Sequence, residues 1–218
     1  MEFNMETVTT VATALGTFIA GVIVCIKVCK QKIDQYMSST GSNVSGKVRG
    51  QTNSDIEIIK KMEQVKEILN ADRVQVYEFH NGEHYANGRS ALKVSCTYEV
   101  YRTGVKPIQR ELLSIPISCI PHFVSNLLDK GMVDVNDLED IKEIMPSTYN
   151  LKSSHSVQAY TDLVIRNEKN EPVGFIGVQW CNKEKKVHCD MELYRLAAYL
   201  EEKLLANLDK KAHKNKGR

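Results

Sequence analysis

An uncharged run of twenty residues, TVTTVATALGTFIAGVIVCI, is the first clear hydrophobic pattern along the chain and occupies residues 7–26. Twenty helical residues rise about 30 Å, which matches the hydrocarbon core of a bilayer. Glutamates precede the run and lysines follow it, the reverse of the order in a cleaved signal peptide. The pattern predicts a short tail at residues 1–6 and then a single, uncleaved transmembrane helix.

Small residues recur every four positions within this run, and residues four apart share one face of a helix. In lipid, such a face lets two helices approach closely. The run therefore predicts a homo-oligomer formed through the membrane helix, although a helix that is merely rich in small residues is the alternative. The association residues are Thr13, Gly16, Thr17, Ala20 and Gly21. The lysines that follow the run predict a cytoplasmic globular part.

Polar and small residues dominate positions 27–53, which predicts a flexible tether. After it, Ser54 and Glu57 have the spacing of a helix capping box. The apolar positions that follow recur at helical spacing, at Ile58, Met62, Val65 and Leu69. This seam is too short for an independent coiled coil, so it either pairs between subunits or covers the sheet of the domain that follows.

Alternation of apolar and polar residues then predicts two strands, RVQVYEF and LKVSCTYEV. Two short helices follow, IPHFVSNLLDKG and VNDLEDIKEIMP, and the second is expected to end at Pro146. The segments SVQAYTDLVIR and VGFIGVQWC have the pattern of strands joined by the polar turn NEKNEP, and MELYRLAAYLEEKLLANL is an amphipathic helix. This order predicts an α+β domain, an antiparallel β-sheet flanked by helices, preceded by one transmembrane helix.

The segment AYTDLVIRNEKNEPVGFIGVQW, a strand, a polar turn with a proline and a Gly-x-x-Gly strand, resembles the last hairpin of many GAF domains, a small-molecule sensor fold related to PAS. The resemblance covers residues 54–209 and leaves a basic tail at residues 210–218. It implies a sensory or interaction protein that binds a small molecule or a regulatory protein, and the predicted membrane helix makes this a membrane-anchored protein. Occupancy is expected to change the packing of the helices at residues 58–69 and 193–208, and thereby the association of the anchor.

A second resemblance gives an alternative function. The piece PVGFIGVQWCNKE is similar to a late strand of the holins of T-even phages, which also join one membrane helix to a globular domain. It implies a phage lysis protein that forms membrane lesions, with the globular domain timing the event. Holins of that type place this domain outside the inner membrane, opposite to the orientation that the lysines predict.

Composition narrows the choice of partners. The formal net charge is +2 over 218 residues, and a chain so near charge balance lacks the field of a nucleic-acid-binding protein. Only the last nine residues form a basic run, which is either a solvated end or a contact with lipid headgroups. The six cysteines have no regular spacing, which favours free thiols in a reducing compartment.

Two kinds of reactive site can be set aside. His80 and His84 are four apart in HNGEH, but Asn81-Gly82 favours a turn, and without a helix the two imidazoles do not share a face. Cys96 alternates inward with apolar neighbours, where a thiol is inert. We therefore expect no enzyme activity, no metal site and no cofactor.

A ligand site is the third candidate. In GAF-like folds the cavity lies between the sheet and its crossing loops and short helices, so the resemblance places residues 79–89 and 103–116 at its border. Polar side chains that leave a buried strand must be hydrogen-bonded, and arginine suits anions. The candidate ligand-binding residues are His80, Asn81, Arg89, Arg110, Tyr160 and Trp180. Turn formation, surface solvation and core packing are their ordinary alternative roles.

Overall fold

The computed structural model describes residues 5–84, 87–88, 90–188 and 190–215, with side chains for only part of the first and last helices. The chain divides into two compact units, Met1–Asn53 and Ser54–Arg218. Helix α1, Met5–Ile68, makes up most of the first unit and contributes its C-terminal part to the second.

Helix α1 continues through residues 27–53, where composition predicts a tether. This stretch has no proline, so each of its residues keeps the backbone N–H that a helix requires. Because the helix does not start at Ser54, the predicted capping box does not begin a helix.

The membrane segment is only partly described. Among the described residues, no helix has both the length and the apolar character needed to cross a bilayer. The predicted association residues, Thr13, Gly16, Thr17, Ala20 and Gly21, have no described side chains. The membrane span and its self-association therefore stay predictions.

The second unit is built on a six-stranded sheet in which every neighbouring pair is antiparallel. The strands follow the order β3-β2-β1-β6-β5-β4 across the sheet. They are β1 Arg73–His84, β2 Ser90–Tyr101, β3 Ile115–Pro116, β4 Met132–Val135, β5 Ala159–Arg166 and β6 Pro172–Trp180. The structure confirms the predicted α+β class with an antiparallel sheet, and it adds the short edge strands β3 and β4.

In the described part of the chain, three further α-helices accompany the sheet. Helix α2, Pro121–Lys130, ends before Gly131 as predicted, and Gly131 has a φ of 77° that favours glycine. The second predicted helix is wrong in its bounds, because Leu138–Ile141 form a 3-10 turn and Pro146 begins helix α3, Pro146–Ser153. Proline suits the first helical position, where its missing N–H is not needed. Helix α4 follows at Asp190–Asn215.

One face of the sheet packs against the C-terminal part of α1 and the first half of α4. The apolar seam at the end of α1, which is Ile58, Met62, Val65 and, directly after the helix, Leu69, is no more than 2% exposed in this layer. The seam thus covers the sheet of its own domain, which is the second of the two predicted alternatives. Trp180 lies in the same layer, where its Nε1 donates a hydrogen bond of 3.1 Å to the Leu69 carbonyl.

The other face is covered by α2, α3 and the segments that cross between β2 and β4. Tyr77 and Phe123 pack here around Phe175, with ring centres 4.4 and 5.5 Å from it. A side chain at position 174 would overlap the backbone oxygen of Tyr77, which explains the first glycine of the Gly-x-x-Gly strand. The two faces have separate cores, and the candidate site lies in this second one.

Candidate functional site

A cavity of about 40 Å³ lies between this second face and its covering segments. Most of its wall is aliphatic or aromatic, and Val94, Phe123 and Val157 are among these residues. The polar side chains that also reach it include Thr148, Lys152, His155 and Gln179. Sites for drug-sized ligands usually measure about 300–1,000 Å³. The cavity is therefore small for a ligand site.

A buried hydrogen-bond network crosses the sheet at the polar end of the cavity. Gln75 Nε2 donates to Glu99 Oε1 over 2.9 Å. The Tyr77 hydroxyl and Gln179 Nε2 both donate to Gln75 Oε1, over 2.8 and 2.7 Å. Because these groups lie on three adjacent strands, the network fixes the side chains that form the floor of the cavity.

Two charged residues hold the segments that cover the cavity. Glu99 Oε2 accepts hydrogen bonds from the backbone N–H groups of residues 108–109, over 2.9 and 3.0 Å. Arg73 donates from Nη2 to the Lys106 carbonyl over 3.0 Å and from Nη1 to the His155 carbonyl over 3.1 Å. Each charge is thus matched to backbone groups, and it positions the cover from the sheet below.

A buried ion pair joins α3 to the sheet beside the cavity. Lys152 Nζ lies 2.8 Å from Asp162 Oδ2 and 3.8 Å from the centre of the Tyr160 ring. Asp162 is completely buried, and burial raises the pKa of its carboxyl despite the opposing effect of Lys152. The pair lets an otherwise apolar strand carry a charge in the core.

Two buried atoms near this pair are unsatisfied. Within the described part of the chain, neither Asp162 Oδ1 nor the Tyr160 hydroxyl has a hydrogen-bond partner. A buried polar atom without a partner costs about 1–3 kcal/mol, so native proteins usually give it a water or a ligand. Neither residue lines the cavity, but Lys152, which contacts both of them, does.

Gly177 makes room for the unsatisfied carboxylate oxygen. A Cβ at this position would lie 2.8 Å from Asp162 Oδ1 and 3.2 Å from Tyr77 Cε2. The oxygen therefore lies over the glycine and next to a ring that lines the cavity. This close approach explains the second glycine of the Gly-x-x-Gly strand.

His155 contributes a neutral group to the wall. Its side chain is 10% exposed, and its Nδ1 lies 3.7 Å from Glu111 Oε2. Burial lowers the pKa of His155 below its ordinary value of 6.5, although Glu111 opposes this shift. The imidazole is therefore uncharged at neutral pH and offers one hydrogen-bond donor and one acceptor.

The predicted ligand-binding residues do not come together in the structure. Strand β1 extends past the predicted strand end at Phe79, so His80 and Asn81 lie in a strand and not in a loop. Phe79 packs on the cavity face, and alternation places His80 on the opposite face, with its Nε2 2.8 Å from Ser95 Oγ. Asn81 and Arg110 are exposed.

Tyr160 and Trp180 lie on opposite faces of the sheet. Tyr160 belongs to the cavity-side core, where its ring contacts Lys152, and Trp180 belongs to the core under α1 and α4. The lining of the cavity includes none of the five described candidates, and Arg89 lies outside the described residues. Their roles as ligand contacts stay predictions.

The polar residues of the cavity wall were not among the sequence candidates, and neither was Asp162, the ion-pair partner of Lys152. Asp162 stands in the middle of AYTDLVI, where every neighbour is apolar or uncharged. A lone charge in a buried strand needs a partner, and this signal alone could have drawn attention to the site. Lys152 has no such signal, because only the fold brings it to Asp162.

No metal site accompanies these groups. Among the described residues, no group of three or more histidine, cysteine, aspartate or glutamate side chains could hold a metal ion.

Comparisons with known proteins identify the fold. Neither the protein-family models nor the curated proteins give a match. Among solved structures, a far-red cyanobacteriochrome photoreceptor superposes with a TM-score of 0.53 and 17% identity, over 84% of this chain and 97% of that one. The fold of the second unit is GAF-like.

Other solved structures agree with this fold. The blue-light absorbing form of the Thermosynechococcus elongatus PixJ GAF domain has a TM-score of 0.54 and 15% identity, over 75% of this chain and 93% of that one. A red/green cyanobacteriochrome in its red light-absorbing state has a TM-score of 0.51 and 18% identity, over 72% and 96%. At these identities the likeness confirms the GAF-like fold alone, so a ligand must be argued from this chain's own cavity.

Proposed function

We propose that this chain is a membrane-anchored, non-enzymatic sensor whose GAF-like domain binds a small molecule in the cavity beside Lys152. The observation that carries the proposal is a mostly apolar cavity whose wall includes Lys152, the buried ammonium that contacts the Asp162 carboxylate and the Tyr160 ring. A bound molecule that accepts a hydrogen bond from Lys152 Nζ, which carries three N–H donors, gains free energy of binding.

The two faces of the sheet supply a route from ligand to membrane helix. Tyr77 and Gln179 reach the cavity, while Val76 and Val178 on the same strands pack in the layer with the C-terminal part of α1 and α4. The proposal gives this layer two alternative packings. A ligand that binds more tightly to one of them increases the population of that packing. The size of that shift is set by the ratio of the ligand's affinities for the two states.

Exposed apolar side chains support the anchor. Val22, Val24, Ile26 and Val28 are between 43% and 62% exposed on α1, a run of large apolar groups that a lipid or a second helix would cover. The lysines that follow favour the cytoplasmic side for the GAF-like domain. Self-association through the face at residues 13–21 is part of the same proposal.

Binding can be tested on the full-length protein with methyl-labelled valine and leucine. We expect a library of compounds with few non-hydrogen atoms to contain a ligand that shifts the methyl signals of Val94 and Val157 in a saturable manner. The Val94→Phe variant fills the cavity and should abolish this response. Leu92→Phe, on the same strand but 48% exposed, is the matched control and should leave it unchanged.

A library without any saturable ligand in the folded wild-type protein would overturn the sensor proposal and leave a scaffold role. The holin alternative stays a prediction from the sequence, and expression in bacteria separates it from the sensor. Continued growth supports the sensor, and an abrupt loss of membrane potential after a fixed delay supports the holin.

A further inference from the structure

A polar row along α3 and the turn after it forms one side of the cavity wall, and it consists of Thr148, Lys152 and His155. Resting on the proposed function, we infer that the cavity binds a small aliphatic alcohol, with its hydroxyl group against the polar row and its hydrocarbon part against the sheet. The inference follows from the position of the row, from the bonds that the other polar groups of the wall already make, and from the donors and acceptors that the row offers.

The spacing of the three residues brings them to the cavity from the same side. Thr148 and Lys152 are four apart in α3, so they share one face of the helix. The His155 N–H donates to the Lys152 carbonyl over 3.1 Å, which continues the helix by one 3-10 turn. Side chains three apart eclipse each other in such a turn. The polar row is therefore continuous along the cavity.

The sheet side of the cavity suits the apolar part of a ligand. Val94 and Phe175 line it with apolar groups. Tyr77 and Gln179 also reach the cavity from the sheet, but both already donate to Gln75 Oε1, over 2.8 and 2.7 Å. A ligand with one polar group should therefore direct that group to the polar row and its hydrocarbon part to the sheet.

The polar row offers both a donor and an acceptor. Lys152 Nζ carries three N–H donors and uses one of them on Asp162 Oδ2. Burial lowers the pKa of His155, so its ring is uncharged at neutral pH. Glu111 Oε2 lies 3.7 Å from His155 Nδ1, which favours the tautomer with the proton on Nδ1 and leaves Nε2 as an acceptor. The residues that the structure describes provide no hydrogen bond to this Nε2.

A hydroxyl group matches this combination. Its O–H can donate to His155 Nε2 while its oxygen accepts a hydrogen bond from Lys152 Nζ. A ketone or a carboxylate has no donor and would leave the imidazole nitrogen without a partner. A protonated amine has donors but no acceptor, and it would bring a second positive charge next to Lys152. An uncharged alcohol is therefore the preferred ligand class.

The experiment compares 2-propanol, acetone and isopropylammonium, which share one carbon skeleton and differ in their polar group. Each probe is titrated into the full-length protein at neutral pH, and the methyl signals of Val94 and Val157 report binding in the cavity. We expect 2-propanol to saturate and to bind about fivefold more tightly than acetone, which is the effect of one hydrogen bond. Isopropylammonium should bind more weakly than either.

Substitutions at His155 test the hydrogen bond that the alcohol donates. His155→Phe keeps an aromatic ring and removes the acceptor, so the affinity for 2-propanol should fall to that for acetone. His155→Gln retains an acceptor oxygen and should retain part of the preference for 2-propanol. His122→Phe, at an exposed position on α2, is the matched control and should keep the full preference. Thermal unfolding verifies that each variant is folded.

The outcomes separate this inference from the sensor proposal. Acetone or isopropylammonium that binds the wild-type protein as tightly as 2-propanol overturns the alcohol class and leaves the sensor proposal intact. A full preference for 2-propanol in folded His155→Phe protein overturns the inference as well. If none of the three probes saturates, the inference is also overturned, while the wider library decides on the sensor. Should His155→Phe fail to fold, the preference of the wild-type protein decides.

Discussion

Lys152 Nζ lies 2.8 Å from Asp162 Oδ2 and 3.8 Å from the centre of the Tyr160 ring, so one ammonium group serves a buried carboxylate and a buried aromatic face. Because Lys152 is on α3 and the other two residues are on β5, the contact ties the cover of the cavity to its floor. The sensor proposal depends on this arrangement.

Removing the Lys152 ammonium group should lower the stability of the fold. We expect Lys152→Met to lower the free energy of unfolding by about 3–5 kcal/mol, because it leaves Asp162 as an unpaired buried charge. Lys142→Met is a matched control, since Lys142 is also near a carboxylate and an aromatic ring, those of Glu139 and Tyr149, but is exposed. It should cost no more than about 1 kcal/mol. Urea denaturation measures the free energy of unfolding of both variants. Equal losses would contradict a structural role for the buried Lys152–Asp162 pair.

The stability of the Lys152→Met variant should depend on pH in a defined direction. Burial raises the pKa of Asp162 in the folded protein, and loss of Lys152 raises it further. A carboxyl whose folded pKa lies above its unfolded pKa destabilises the folded state as pH rises through that window. The deficit of Lys152→Met relative to wild type should therefore shrink on acidification. A deficit that grows towards low pH would show that Asp162 is not the cause.

The two glycines of β6 should differ in their tolerance of alanine. Gly177→Ala should cost about 1–3 kcal/mol, because the new methyl meets the side chains of Asp162 and Tyr77. Gly174→Ala should cost more, since it meets backbone, which cannot rotate away. Gly46→Ala on α1, where nothing lies within 4 Å, serves as the control. Thermal or urea unfolding ranks the three, and a harmless Gly174→Ala would contradict the close strand packing.

His155 should make stability depend on pH in the opposite sense. Burial lowers its pKa below 6.5, so the unfolded chain binds a proton more readily than the folded one. The contribution of His155 to the free energy of unfolding should be fully present above pH 6.5. It should be lost as the pH falls from there through the folded pKa. His155→Gln should remove this contribution. The measurement is the free energy of unfolding as a function of pH for both proteins, and parallel curves would rule out the shift.

The cysteines should differ in reactivity. Cys96 is buried, and burial raises its pKa well above the ordinary range, so little thiolate exists to react. Cys119 is exposed. Iodoacetamide should therefore modify Cys119 in the native protein and Cys96 only after unfolding, as read by peptide mass spectrometry. Early modification of Cys96 would contradict its place in the core.

The fold was largely predictable because its signals are local. The β5–β6 hairpin and α2 follow from alternation, a polar turn and a glycine stop, which involve only residues close in sequence. Pro146 misled the prediction, because a proline can end one helix or begin the next, and the structure uses it to begin α3.

The site was not predictable in the same way. Lys152 and Asp162 meet only because α3 folds over β5, and Gln75 and Gln179 meet only through strand pairing. Alternation shows that Gln179 and Trp180 face opposite sides of β6, but it does not show which side holds a cavity. Side-chain chemistry alone therefore favours Trp180 as a candidate, while Gln179, its neighbour on β6, lines the cavity.

The most direct test of the central claim is a crystal structure of the full-length protein with ordered solvent visible. The account predicts density from a non-protein molecule in the cavity, within hydrogen-bonding distance of Lys152 Nζ. A cavity closed by protein side chains, with no such density beside Lys152, would contradict it.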